Sequence, residues 1–181
     1  GLLLGGEDVD PREMLAAALL HDVVNLPKDH PDRALASEQS EAVATEWLLE
    51  LGFDEEAARR VGAAIRTHSF SRAEAPTSLL GEALQDADRL EALGVIGVFR
   101  TISTGSRMGA EYFHASDPWA EDRALDDRRF SIDHFFTKLF GLAATMRTEA
   151  GQREAARRAE VMRELLEELS TELGVPLPTL R

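Results

Sequence analysis

The chain has 181 residues, 44% of them apolar, and a formal net charge of −13 from 33 Asp and Glu against 20 Lys and Arg. That is enough chain for one domain with its own core, and no apolar run reaches the roughly eighteen residues that a membrane span needs. The acidic balance argues against a general nucleic-acid or anionic-membrane surface, and the absence of cysteine excludes disulfides, thiolate catalysis and Cys-held zinc or iron–sulfur sites.

Any metal must therefore be held by His and carboxylate, a donor set suited to Mn, Mg, Fe, Ni or Zn. No signal peptide is visible, which fits a cytoplasmic protein. The chain starts at Gly1 inside an apolar patch, so an N-terminal piece is expected to precede it. Lys28 and Lys138 are its only lysines.

Hydrophobic periodicity predicts helix nearly throughout, giving an all-α fold with no alternating strand and no internal repeat. The first helix is expected over 10–24, with Asp10 as N-cap, Pro11 at the first helical position and Pro27 as the break. The second runs over 37–51, with Val43, Trp47, Leu48 and Leu51 as its buried stripe and Gly52 at C′. Asp54 caps a third helix reaching about residue 67, with Val61, Ile65 and His68 on one face.

A fourth helix is expected over 78–93 and a buried one over 94–103. Residues 112–129 read as a long surface loop turning at Asp117-Pro118. A helix over 132–146 follows. The last covers 149–173, with Ala155, Ala159, Met162, Leu166, Leu169 and Leu173 as its stripe and Glu154–Arg158 as an exposed pair. The tail over 174–181 is expected to be loose.

Two places carry metal-ligand chemistry. His21 and Asp22 stand side by side at the end of the apolar first helix. Adjacent helical residues diverge by about 100°, yet an imidazole and a short carboxylate at a helix end can converge. On its own the pair reads first as a cap, because a helix C-terminus favours His. On the fourth helix Leu80, Leu84 and Ala87 mark one face, with Asp88 beside it and Asp86 about 200° from Asp88. Asp88 is therefore expected to point inward and Asp86 outward. A carboxylate near a core needs a cation or strong donors. A metal, an arginine or the N-terminus of another helix would each serve.

Ala16-Ala17-Ala18-Leu19-Leu20-His21-Asp22 followed by Ala87-Asp88-Arg89-Leu90 resembles the HD-domain superfamily of metal-dependent phosphohydrolases, and one bacterial branch in particular. Lys28-Asp29-His30-Pro31, His68-Ser69-Phe70-Ser71, Gln85 to Gly94, Ile96-Gly97-Val98-Phe99-Arg100 and Asp133 to Leu139 support it. The resemblance implies a single HD-type helical domain over 1–181. It also implies one divalent ion, Mn or Mg first and Ni, Fe, Zn or Co as alternatives, with His21, Asp22 and Asp88 as ligands. A further His ligand belongs on a preceding helix, and no histidine precedes His21. The site is therefore expected to lie partly upstream of Gly1, and loss of a ligand lowers affinity and disturbs geometry.

Asp22 and His68 are the expected catalytic side chains, although His68 reads also as a hydrogen-bonded core histidine. Lys28, His30, Arg89, Arg100, His134 and Lys138 are candidate phosphate-binding residues. Lys28 reads otherwise as a solvated loop lysine, Arg89 as a partner of Asp86, and His134 and Lys138 as an exposed helix face. The implied activity is hydrolysis of a nucleotide or small phosphate ester. A nucleoside triphosphate, cleaved to monophosphate and pyrophosphate or dephosphorylated, is the leading substrate. The acidic extension of alarmone-hydrolysing relatives is missing, since Asn25 and Leu26 stand there, and so is the Gly-Tyr-Pro extension of cyclic-dinucleotide phosphodiesterases. The alternative is a non-catalytic ligand-binding or regulatory domain on the same scaffold. No bulk nucleic acid or membrane partner is expected, and the long last helix allows a homodimer.

Overall fold

The computed structural model describes residues 8–26, 30–69 and 74–179, with Ala34 described by its backbone alone. Among these the chain is all-α, without a β-strand, and Glu111 and Phe130 form an isolated parallel bridge. The elements are α1 (Pro11–Leu20), a 3-10 turn (Arg33–Leu35), α2 (Ala36–Glu50), α3 (Glu55–His68), α4 (Leu79–Leu90), α5 (Gly94–Arg107), a π turn (Phe135–Leu139) running into α6 (Phe140–Ala143), and α7 (Glu149–Leu173). No helix among the described residues is long and apolar enough to cross a membrane. The chain forms two compact units: Gly1–Asp88 with Arg147–Gly151, and Arg89–Met146 with Gln152–Arg181.

In the first unit, α3 packs against α1 and α2. Asp10 caps α1 by accepting the N–H of Arg12, with Pro11 next in the chain, and Asp54 caps α3 by accepting the N–H of Ala57. α2 closes in a Schellman turn: Gly52, at φ +82°, donates to the Leu49 carbonyl and Phe53 to that of Leu48. Its buried face is not the expected bulky stripe. Ser37, Ser40, Ala44 and Leu48 are buried, while Trp47 and Leu51 are exposed. Close approach to α3 is the reason: a Cβ on Gly62 would lie 2.5 Å from Thr45 Oγ1. Small residues hold that seam.

α4 corrects the expected orientation of its two aspartates. Asp86 is fully buried and Asp88 exposed. Asp86 accepts the N–H groups of Arg147 and Thr148, both at 2.8 Å, and the Thr148 hydroxyl at 2.8 Å. Thr148 in turn accepts the N–H of Gly151 at 2.9 Å, which caps α7. Gly151 leaves room for the carboxylate, since a Cβ there would lie 2.3 Å from Asp86 Oδ2. Apolar periodicity tracks leucines and cannot see a buried carboxylate satisfied by donors from a distant segment.

In the second unit, α7 buries Ala155, Ala159, Met162 and Leu166, and Leu93, Phe135, Leu139 and Leu142 are buried as well. α5 is not the buried helix expected, for Val95, Ile96 and Phe99 are exposed. Its first turn folds tightly back, and a Cβ on Gly97 would lie 2.1 Å from the Ala92 carbonyl oxygen. The segment between α5 and the π turn is irregular but tied down. Buried Asp133 accepts from Nη1 and Nη2 of Arg123 and from the N–H of Asp126. Trp119 donates its indole N–H to the Val175 carbonyl at 3.1 Å, which holds the stretch after α7 at its start. The helix expected over 132–146 is broken into the π turn and short α6.

Candidate metal centre

Two helix C-termini in the first unit meet at one place. α1 stops at Leu20 rather than continuing to residue 24, because the His21 ring intervenes. Its Nδ1 lies 2.9 Å from the Ala18 carbonyl oxygen, the acceptor that a longer helix would give to the N–H of Asp22. His68, the last residue of α3, does the same: its Nδ1 lies 2.6 Å from the Ile65 carbonyl oxygen. A carbonyl only accepts, so each Nδ1 carries the proton. In its neutral form each ring presents an Nε2 lone pair.

The two helices are locked side by side. Arg60 of α3 donates from Nε and Nη2 to the two carboxylate oxygens of buried Glu13 on α1. Glu13 precedes His21 by as many residues as Arg60 precedes His68, so α1 and α3 run in the same direction. The negative ends of both helix dipoles converge, which favours a cation there.

Asp22 completes the group. Its Oδ2 lies 3.7 Å from His21 Nε2 and its Oδ1 3.6 Å from His68 Nε2. The imidazoles meet edge to face with centroids 5.0 Å apart. One ligand atom from each of His21, Asp22 and His68 lies within 4.8 Å of the others. Donors about 2.1 Å from one ion lie roughly 3–4 Å apart, so this donor set fits a small divalent ion after slight closure. His68 is 5% exposed and Asp22 61%, giving the site a protein wall and an open side. Ser40 anchors the chain beyond Asp22, its Oγ accepting the Val24 N–H at 3.1 Å.

The contact with His68 holds the Asp22 carboxyl below its ordinary value, against partial burial, and the charges of His21 and Arg33 act the same way. For His68, burial pulls downward, but contact with Asp22, the bond to Ile65 and the charge of Asp88 leave it raised. Asp88 thus bears on the site through charge, while it stands outside the group of three. Its helix is positioned by Gln85, whose Nε2 donates to the Thr67 carbonyl at 3.1 Å.

The structure therefore brings together His21, Asp22 and His68, with Asp88 nearby. His30 lies before the 3-10 turn, where its Nδ1 accepts the N–H of Asp32. Lys28 lies outside the described residues. In the second unit Arg89 is buried and donates to the Thr145 carbonyl. Arg100 pairs with Glu91 at 2.9 Å. His134 meets Asp127 at 2.8 Å, and Lys138 is exposed on the π turn. Arg33 was not singled out by the sequence. One arginine among many carries no motif, and its Nη1 bond to the Leu26 carbonyl appears only in the fold.

The family model described as HD domain matches residues 1–93, which include His21, Asp22, His68 and Asp88. YpgQ of Bacillus subtilis is 29% identical over 161 residues, covering 87% of this chain and 70% of its own. The crystal structure of YpgQ in complex with ADP superposes with a TM-score of 0.69 at 28% identity, covering 96% of this chain and 78% of that one. An HD-superfamily hydrolase from Bacillus thuringiensis gives a TM-score of 0.71 at 30% identity, with 94% and 78% covered. The chain belongs to the HD domain family.

Proposed function

We propose that this chain is a metal-dependent phosphohydrolase acting on a nucleotide or a similar small phosphate ester, with a nucleoside triphosphate as the leading substrate. The observation that carries the reading is the convergence of two imidazole Nε2 atoms and one carboxylate at paired helix ends. The similarity to an HD-superfamily hydrolase supports hydrolysis, and the ADP complex of YpgQ supports a nucleotide.

His21, Asp22 and His68 would hold one divalent ion, Mn or Mg first, with Asp88 as the further carboxylate. When bound, such an ion polarises a phosphoryl oxygen and makes water acidic enough to act near neutral pH. The protein's own contribution is positional. The Nδ1–H bonds to Ala18 and Ile65 fix both ring tautomers, an outer-shell device that keeps Nε2 directed. Asp22, on the open side, would orient the attacking water. Arg33, whose charge acts on Asp22, is a cation suited to a phosphate oxygen, and His30 and Lys28 precede it in the sequence.

The test uses the purified full-length protein, Mn and a panel of nucleoside triphosphates. Phosphate or pyrophosphate release should require Mn, stop with EDTA and fall at least about a hundredfold in His21→Ala. Tight Mn binding with no release from any nucleotide would overturn hydrolysis and favour the non-catalytic binding module. Release unchanged by both EDTA and His21→Ala would overturn the metal assignment.

A further inference from the structure

Among the described residues, the second unit carries an apolar groove between α5 and α7. On α5, Val95, Val98, Phe99 and Ile102 follow the i, i+3, i+4, i+7 spacing of one helix face. Val95 is 53% and Phe99 66% exposed. On α7, Leu165, Glu168, Leu169 and Glu172 repeat that spacing, and with Val98 and Ile102 they line a cavity of about 320 Å³. This is a second face of α7, because Ala155, Ala159, Met162 and Leu166 are already buried on the first. A helix with one face spent on its own core and another leucine face open is built for an additional contact.

Charge selects the occupant. Glu168 and Glu172 line the groove and have no ion-pair partner among the described residues. Glu164, one turn earlier, extends the acidic edge. A second copy would bring the same carboxylates on a chain of net charge −13, and an anionic membrane would be repelled. We propose that the α5–α7 groove docks a basic amphipathic helix of a partner protein. Its apolar side chains would enter between Val98, Ile102 and Leu169, and its Lys or Arg residues would meet Glu168 and Glu172.

The probes are two fluorescein-labelled helical peptides with identical leucine spacing, one with Lys and one with Glu at the remaining positions. Anisotropy titration of the full chain should give binding at least about tenfold tighter for the Lys peptide. Glu168→Lys with Glu172→Lys should invert that preference. Glu46→Lys with Glu50→Lys makes the same charge change on the exposed edge of α2 and should leave it intact. Phe99→Asp, or independently Leu165→Asp, should weaken both peptides, with circular dichroism confirming that the helices persist. Equal loss in the α2 double variant would reduce the effect to bulk charge and overturn the proposal. So would indifference to Phe99→Asp and Leu165→Asp, or a homodimer by light scattering that Phe99→Asp dissociates.

Discussion

Asp86 and Asp88 are two residues apart and do opposite work. Asp86 is buried and gathers the N–H groups of Arg147 and Thr148 and the Thr148 hydroxyl. Asp86→Ala would leave those buried donors without their acceptor and should cost about 2–4 kcal/mol. Asp88→Ala, at an exposed position, should change stability by less than about 0.5 kcal/mol. Urea denaturation of the two variants separates the roles, and equal costs would refute the division. The sequence motif draws attention to this pair, but helix geometry alone assigns its burial the wrong way round. The donors that make burial of Asp86 possible come from a segment far along the chain, and no local pattern reports them. His21 and Asp22 were legible as a pair for the opposite reason: they are adjacent and end an apolar helix. Their meeting with His68 is a tertiary event, set by the Glu13–Arg60 lock.

At the scale of elements, helix starts and glycine stops were the readable part. Asp10, Asp54 and Gly52 act through their nearest neighbours, so their chemistry is local. The buried face of α2 was not readable, because close packing favoured Ser37, Ser40 and Ala44 over the bulkier residues. The break after Ile132 was hidden for a related reason: its apolar pattern is helical, but Asp127 intervenes from outside. Asp127 Oδ2 lies 2.8 Å from His134 Nδ1 and accepts the Thr137 hydroxyl at 3.0 Å, bracing the π turn. The contact with His134, and then Thr137, lowers the Asp127 carboxyl below its ordinary value in the folded chain. A depressed folded value means stability that is present above the unfolded value and lost as pH falls through the folded one. Asp127→Asn should therefore be less stable than the wild type at pH 6, with the gap narrowing steadily below about pH 4. Thermal melts of both proteins across that range test the sign, and a gap that widens in acid would contradict it.

For the whole molecule, the charge of −13 sets a problem for the proposed substrate, because a nucleotide is itself an anion. A cation bound at His21, Asp22 and His68 would reverse the local sign where the phosphate must approach. An acidic surface also gathers divalent ions without specificity, so metal binding must be separated from that background. Mass action makes the separation measurable. An ion that binds only the folded chain stabilises it by about 2.7 kcal/mol when present at a hundred times its Kd. For a chain of this size that corresponds to a rise of roughly 5–10 °C in Tm. Mn should produce such a rise in the wild type, and EDTA should remove it. Asp22→Asn is the informative variant, because Asp22 is 61% exposed and its loss should leave the fold standing. In that variant the Mn-dependent rise should largely vanish while the metal-free Tm stays within a few degrees. A rise of equal size in the variant would place the ions on the general acidic surface and remove the metal centre from His21, Asp22 and His68.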